Sequence, residues 1–468
     1  MTKSIAAVLS GAIGADRVSS AAEDLNARRF DQWALSHLKD WSGQAMAAPA
    51  CVVRPRSTAE VQAIMVAASK AGAPVMPFGL GSGVCGGILP TPETVLLDLS
   101  GFNAVRSIDE TNLLASFDAG KNGLEAEDAV AERGLTIGHW PQSVAISSVG
   151  GWVSTRASGQ FSTAYGNIED IIYSIEAVLP DGTLVNLGKA PRAAAGPDLR
   201  HLLMGAEGTM GVITGVTLAL RRKPERQAFS AYYAKDMEAG FEAQRRIIQA
   251  DWRPPVARQY DAREVRRMFR DHERDDQCLI LFVHEGPAKR VELELAEVEA
   301  IAREAGLTPA DPAATAGWMQ RRNHVPSWRE LFERGYVADT IEVSAGWSAI
   351  GKVYADVVAA LSAVPNVINA SAHSSHAYRT GLNLYFSFAA AHADPAERER
   401  AYLECWRRAM EATARHGGGI AHHHGAGRLR KPYLEYDLGP GGVSLLRRIK
   451  QAIDPQGIMN PGNLIPDA

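Results

Sequence analysis

Cysteine is scarce. Four residues, Cys51, Cys85, Cys278 and Cys405, lie far apart in 468 with no Cys-x-x-Cys among them. That excludes a disulfide scaffold and a Cys-pair zinc site, and it fits a reducing compartment. Long apolar runs are lacking too, since none approaches the ~18 residues that span a bilayer. Nor does either charge dominate: 49 basic against 53 acidic residues leave a net charge of −4. There is thus no electrostatic footprint for nucleic acid or for an anionic membrane. Ser4–Ala15 has something of a secretory h-region, but Ser10, Gly11 and Gly14 interrupt it. The expectation is a first helix closing near Gly14 and a cytoplasmic protein.

What is present in excess is glycine, with 43 residues, about 9% against an average of roughly 7%. The apolar share of 46% and charged share of 22% are those of an ordinary globular enzyme. The length calls for two or three domains, or for one large domain with an inserted partner. Ser57-Thr-Ala-Glu60 is a capping box opening a helix through Lys70, closed by Gly72. Strands are expected at 73–78, 94–99 and 113–117, a helix at 123–133, and a hairpin at 171–187 turning on Pro180-Asp-Gly-Thr183. A short helix at 198–204 and a strand at 212–220 complete a first block, whose strands lie too close together for a regular βαβ array. Arg221-Arg-Lys-Pro-Glu225 marks a boundary. Beyond it, helices at about 236–250, 288–305, 348–363 and 395–416 alternate with strands at about 256–260, 278–284, 340–344, 366–372 and 381–390. A histidine cluster and a helix at 443–453 follow.

The glycines gather in three stretches. Pro77-Phe-Gly-Leu-Gly-Ser-Gly-Val-Cys-Gly-Gly87 holds five glycines in the nine residues 79–87, including a literal G-x-G-x-x-G after a strand. A dinucleotide fingerprint needs a helix opening inside the motif. Here Gly86, Gly87, Pro90 and Pro92 prevent one, and no Gly-Lys-Ser/Thr follows for a Walker loop. What remains is a run of exposed backbone N–H groups, a nest that binds phosphate. Pro141 to Gly159 alternates glycine with small hydroxyl residues and can approach a flat ligand closely. Gly205-Ala-Glu-Gly-Thr-Met-Gly-Val-Ile213 is a third tight turn feeding a strand. Three donor-rich loops in one domain point to one large, flat, phosphate-bearing cofactor.

With those stretches on the page, the chain resembles the FAD-binding domain of the vanillyl-alcohol-oxidase superfamily, the PCMH-type domain. Within it the closer resemblance is to the alkyldihydroxyacetonephosphate synthase (alkylglycerone-phosphate synthase) family. Gly150-Gly-Trp-Val-Ser-Thr-Arg-Ala-Ser158, Tyr165-Gly-Asn-Ile-Glu-Asp170, Gly196-Pro-Asp-Leu-Arg-His201, Gly208-Thr-Met-Gly-Val-Ile213 and His422-His-His-Gly-Ala-Gly-Arg-Leu-Arg-Lys431 carry it. It covers about 45–465 and is thinnest between 226 and 370. It implies an α+β fold: a PCMH-type two-subdomain FAD-binding domain (1–225), an α/β cap domain of FAD-linked oxidase C-terminal type (226–415) over the flavin's reactive face, and a C-terminal segment (416–468) returning to the FAD domain. It implies FAD held non-covalently. Some relatives link the flavin through a histidine of the first loop, where this chain has Ser82, with Cys85 nearby. The pyrophosphate would sit on Pro77, Phe78, Gly79, Leu80, Gly81, Ser82 and Gly83. Gln142, Ser143, Ser147, Ser148, Gly151, Thr155, Arg156, Ala157 and Ser158 would line the isoalloxazine and ribityl chain. Glu207, Gly208, Thr209, Gly211, Val212 and Ile213 would hold the remaining edge.

For the chemistry, Gly381-Leu-Asn-Leu-Tyr-Phe-Ser-Phe388 reads as a strand with Asn383, Tyr385 and Ser387 on one face. Tyr385 matches the family's acid/base tyrosine; the plain alternative is a tyrosine at a sheet edge. His422, His423 and His424 stand between glycines and read as a proton relay and oxyanion stabiliser, or as a solvated run. Related FAD-linked 2-hydroxy-acid dehydrogenases carry a metal on two strand histidines and a Glu; here Tyr385 and His423 occupy two of those positions, so no metal is expected. Arg258 and Arg329 match substrate-anion arginines, the latter with the alignment slipping by one residue, and a guanidinium fork suits phosphate or carboxylate equally.

The resemblance implies exchange of acyl for alkyl on acyl-dihydroxyacetone phosphate through a flavin N5 adduct, in ether lipid synthesis. The alternative is an FAD-linked oxidoreductase of an alcohol or 2-hydroxy acid, since site similarity does not fix chemistry. A non-enzymatic FAD-binding sensor is a distant third. The expected partner is a small or lipid-like phosphate or carboxylate substrate, with no nucleic acid and no transmembrane segment. Peripheral membrane contact is compatible with a lipid substrate, and a homodimer is the expected assembly.

Overall fold

Ser4 caps a first helix, α1 (Ile5–Ile13), which Gly14 closes at φ 100°. Ser57 opens α2 (Thr58–Ala71): its hydroxyl accepts from Glu60 N at 3.2 Å, while Glu60 accepts from Arg56 N at 2.7 Å. Gly72 ends the helix in the left-handed region at φ 62°, a conformation glycine adopts without strain. The computed structural model describes residues 4–324 and 327–467. Within them the chain forms two compact units, residues 1–158, 167–222 and 423–468, and residues 159–166 and 223–422. Arg222 and Lys223, within the 221–225 stretch, fall on either side of one boundary between the units. The allocation of 159–166 to the second unit has no counterpart in composition.

The first unit holds two larger sheets, besides a two-stranded pairing of Leu135–Thr136 with Arg221–Arg222. In one, β1 (Cys51–Val53), β2 (Val75–Phe78) and β3 (Val95–Asp98) run parallel in the order β1-β3-β2, with Val18–Ser19 antiparallel on the edge. β1 and β3 are buried throughout, as strands covered on both faces must be. Leu9, Ile64, Met65, Val75, Val95 and Met459 share their core. The second sheet is antiparallel: β4 (Val105–Asp109), β5 (Leu114–Asp118), β6 (Ile172–Val178), β7 (Leu184–Leu187) and β8 (Val212–Ala219), in the order β4-β5-β8-β6-β7. Helices α3 (Gly123–Ala131) and α4 (Val149–Thr155) pack on it through Ala126, Val130, Trp152 and Val153.

α4 lies within the stretch read from sequence as a donor-rich loop. Gly150 and Gly151 disfavour a helix by propensity, yet a Cβ at Gly150 would come 2.6 Å from that of Ala119. The glycine there serves close approach, and tertiary packing overrides propensity.

The second unit is built on an antiparallel sheet, β9 (Arg226–Ala234), β10 (Val256–Tyr260), β11 (Cys278–Gly286), β12 (Thr308–Ala310), β13 (Tyr336–Gly346), β14 (Val367–Ser374) and β15 (Gly381–Ala391), in the order β12-β9-β11-β10-β14-β15-β13. Among its helices are α5 (Met237–Gln249), α6 (Ala288–Glu304), α7 (Ala313–Arg321), α8 (Trp328–Glu333), α9 (Ile350–Ser362) and α10 (Pro395–Arg415). β9 is a nine-residue strand that the sequence does not announce. Arg226, Gln227 and Ser230 dilute its apolar pattern, but it pairs with β11 over its whole length. The expected helix at 443–453 extends back to Leu434, with Gly439 non-helical just before Pro440. No described helix is long and apolar enough to cross a membrane.

Candidate active site

In the first unit, β2 delivers Pro77 and Phe78 to the loop Gly79–Gly83, whose residues are all partly exposed. Among the described residues, the backbone N–H groups of Gly79, Leu80, Gly81, Ser82 and Gly83 have no acceptor. Gly81 is left-handed at φ 69°. This is a nest of unspent donors, the arrangement that binds phosphate. It is stiffened from behind. Gly83 O accepts from Gln32 N at 2.7 Å, and the buried Asp31 carboxyl accepts from Trp33 N at 3.1 Å and Gly87 N at 2.8 Å. Burial pushes the Asp31 carboxyl up to about 7, against the pull of those backbone donors and of Arg428.

The other two stretches close on this loop. Gly79 lies so near Ser148 that a Cβ would collide with its hydroxyl, and Gly208 sits where a Cβ would be 3.1 Å from Pro77 Cδ. Ser148 caps α4, its Oγ accepting from Gly151 N at 3.3 Å. Glu207, left-handed at φ 48°, donates its N–H to Ser154 O at 2.9 Å. Its carboxylate accepts from Ala426 N at 2.6 Å and Gly427 N at 2.9 Å, which fixes the segment following His424. The thiol of Cys85, 4% exposed, meets Arg430 Nη1 at 3.5 Å.

Several residues expected at the cofactor have other duties. Ser147 is buried and accepts from Trp152 Nε1 at 2.8 Å. Thr155 donates to Gly151 O at 3.0 Å, and Arg156 pairs with Glu169 at 2.8 Å. Ser158 bonds to Asn167, and Thr209 donates to Ala206 O at 2.7 Å. Val212 and Ile213 are core side chains, and a Cβ at Gly211 would be 2.9 Å from Val178 O. These residues shape the loops from within, and packing alone accounts for their side chains. Gln142 is exposed, while Ser143 and Ala157 are half-buried.

In the second unit, register brings aromatic rings into a row. Tyr260 on β10 stands opposite His373 on β14, and His373 opposite Tyr385 on β15. The Tyr260 and His373 rings stack at 5.1 Å, those of His373 and Tyr385 at 4.9 Å. Glu264, from the short helix Ala262–Met268, accepts from His373 Nδ1 at 2.8 Å and from Ser387 Oγ at 2.6 Å. Burial opposes its charge, but His373, Arg267 and Ser387 outweigh burial and hold the carboxyl down at about 2. Burial also depresses His373, with Glu264 pulling the other way. Arg258, two residues before Tyr260 and on the same face, sends Nε to Tyr260 Oη at 2.9 Å and lies over the Trp318 ring at 5.2 Å. It is 8% exposed, and no described carboxylate pairs with it.

Asn383, buried on β15, accepts from the N–H groups of Ser375 (3.0 Å) and His376 (2.8 Å). His376 Nε2 meets Gly159 O at 3.0 Å, which makes Nε2 the protonated nitrogen. Burial, then His422 and Arg258, drive His376 well below the usual imidazole range. Tyr378 Oη and His422 Nε2 are 2.6 Å apart, and the His376 and His422 rings 4.9 Å apart. The three successive histidines divide. His422 belongs to the second unit, while His423 and His424 belong to the first, their rings edge-to-face at 4.6 Å.

Arg329 departs from expectation. It lies on α8 with its side chain 80% exposed, paired with Glu333 one turn on at 2.8 Å, an exposed pair of the kind worth little. The sequence reading also passed over Glu264, His373, His376, Tyr378 and Arg322. The expected strand at 366–372 stopped one residue short of His373.

Residues 223–464 match the C-terminal domain of FAD linked oxidases, and residues 49–188 match an FAD binding domain. The chain belongs to the FAD-linked oxidase family; it is a flavoenzyme whose cofactor is FAD. It is 34% identical to the uncharacterized FAD-linked oxidoreductase YgcU of Escherichia coli O157:H7, over 97% of this chain and 96% of that one. It is 28% identical to alkyldihydroxyacetonephosphate synthase of Dictyostelium discoideum, over 91% of this chain and 74% of the relative. A solved alkyldihydroxyacetonephosphate synthase superposes with TM-score 0.81 at 24% identity, covering 98% of this chain and 84% of that one, and shares the fold. The free donors of Gly79–Gly83, with the Ser148 hydroxyl where a Cβ at Gly79 would stand, fit the pyrophosphate of that cofactor.

Proposed function

We propose that the chain is an FAD-linked oxidoreductase acting on a hydroxylated substrate that carries an anionic group. The observation that carries this reading is Arg258. A guanidinium buried to 8% exposure without a carboxylate partner is costly, and an anionic ligand offsets that cost. Its Nη groups remain for a carboxylate or phosphate fork once Nε is spent on Tyr260. Tyr385, stacked on His373, is the acid/base group for the substrate hydroxyl. The Tyr378–His422 hydrogen bond offers a route for that proton onward. When bound, FAD supplies the two-electron acceptor.

A second reading is acyl-for-alkyl exchange on acyl-dihydroxyacetone phosphate, without net redox change. Tyr385 with His422–His424 and the 28% identity to the Dictyostelium synthase favour it. Arg329, expected at the substrate anion under either reading, is exposed and paired with Glu333. Anaerobic mixing decides. Loss of the flavin's visible absorption on adding 2-hydroxy acids or polyol phosphates supports oxidation. Ether product from palmitoyl-dihydroxyacetone phosphate and hexadecanol without any electron acceptor overturns it in favour of exchange.

A further inference from the structure

Away from the row of rings, the second unit buries another polar set. On paired strands β9 and β11, His284 stands opposite Ala228, so Ser230 is its diagonal neighbour on the same face. α6 packs across both strands. The buried stripe of α6 is Val291, Glu294, Val298 and Ala302, one carboxylate among apolar residues. An apolar side chain there would suit the helix pattern, whereas a buried carboxylate has to be held by a partner. That partner is His284. Its Nδ1 lies 2.9 Å from Glu294 Oε1, and its Nε2 lies 3.0 Å from Ser230 Oγ. In a neutral imidazole the carboxylate holds the proton on Nδ1, which leaves Nε2 to accept from the serine hydroxyl. His284 and Glu294 are 0% and 3% exposed and Ser230 is half-buried, so the set opens to solvent at the serine. Tyr232, two residues beyond Ser230, points to the same face. Burial pushes its phenol up, with Glu299 adding to the effect and Ser230 and Arg303 opposing it, so Tyr232 stays a hydrogen-bond donor at neutral pH.

We propose that Ser230, His284 and Glu294 form a second reactive centre, a Ser-His-Glu acyl-transfer site for small uncharged esters, with Tyr232 as donor to the developing oxyanion. Nucleophile, base and orienting carboxylate meet in the order and at the distances that such a site requires. Ser230 Oγ bonds to the ester carbonyl carbon and passes its proton to His284 Nε2. The ester C–O bond breaks, and the departing alcohol takes that proton. Water then attacks the acyl-serine, gives a proton to His284, and releases the acid as Ser230 regains its hydroxyl. Nothing is oxidised or reduced, so the centre works independently of the flavin and of the function proposed above. The substrate class follows from the walls. Ser230 stands directly opposite the buried Phe282, whose ring meets that of Tyr232 edge-on at 6.0 Å, a lining that suits a short acyl group without charge.

The test treats the FAD-loaded enzyme with diisopropyl fluorophosphate, which loses fluoride to an activated serine, and maps the adduct by peptide mass spectrometry. Wild type should carry the adduct at Ser230 and should hydrolyse p-nitrophenyl acetate. Ser230→Ala should lose both and keep its flavin content. His284→Gln should be modified about 10²-fold more slowly or worse, the usual worth of a positioned base. Glu294→Gln, which spares the serine and the imidazole, should slow modification by about tenfold or more. A network that only braces α6 would lower the melting temperature of these variants and leave wild-type Ser230 unmodified. That outcome, an adduct on a different serine alone, or equal rates in wild type and flavin-loaded His284→Gln overturns the proposal. The wild-type adduct decides even where a variant fails to fold.

Discussion

The imidazole of His373 lies parallel to the phenol ring of Tyr385, with centroids 4.9 Å apart and planes 9° apart. The stack follows from strand register, since the two residues stand directly opposite on β14 and β15. The one polar atom of the Tyr385 side chain is its hydroxyl. Tyr385→Phe keeps the stack and removes that atom. Turnover should fall by about 10²–10⁴-fold, the usual worth of a positioned acid/base group. Flavin content and KM should change little. Steady-state kinetics on flavin-quantified enzyme measures this, and a variant with more than half of wild-type turnover would remove Tyr385 from the chemistry.

Glu264 acts one step further back. It touches His373, not Tyr385, so it is a positioning residue. Glu264→Gln keeps the volume and one acceptor but lets the imidazole take another tautomer. We expect kcat to drop about tenfold with KM within twofold, and the acid limb of the pH–rate profile to move. A purely structural role would instead show as lowered thermal stability, on the order of 1–3 kcal/mol for a weakened buried network, with an unmoved profile.

Asp31 makes a pH prediction with a definite sign. Its carboxyl is raised from the ordinary aspartate range to about 7 by burial behind the glycine loop. In the unfolded chain it ionises near 3.9, so between those values the folded protein holds a proton that the unfolded one has lost. The stability this gives is complete below pH ~3.9 and is lost as pH rises through about 7. Asp31→Asn cannot ionise. Melting curves at pH 5.5 and 8 should show the variant gaining on wild type at the higher pH by several degrees. Parallel pH dependence in the two proteins would refute a proton on Asp31.

Sequence alone made parts of this legible for physical reasons. The helix from Thr58 has a serine N-cap and a terminal glycine, and its ends are local chemistry. The first glycine loop was readable because five glycines after a strand suit little except a nest. The rest depends on register and packing. Glu264 meets His373 across 109 positions of chain, and Gln160 meets Arg322 across 162; no periodicity encodes either. α4 was hidden because Gly150 and Gly151 read as loop residues, whereas Gly150 is required by the approach of Ala119. A motif position cannot say which way a short helix turns, and on α8 Arg329 turns to Glu333.

That distinction between glycine as freedom and glycine as space can be tested at Gly79. The residue is not among those with positive φ, so alanine meets no backbone penalty there. What it meets is the Ser148 hydroxyl, which a new Cβ would strike. The loop must then shift, and with it the free donors of Gly79–Gly83. Gly79→Ala should purify folded but with less than a tenth of the flavin of wild type, because the cost falls on donor geometry and not on the buried sheet behind it. Ser148→Gly removes the struck atoms while leaving a tolerable helix cap, a change worth only a few tenths of a kcal/mol. The double variant should therefore recover flavin beyond what either single change predicts, which is the signature of a direct contact. Simple additivity of the two losses would mean that the collision at Ser148 is not what empties the loop.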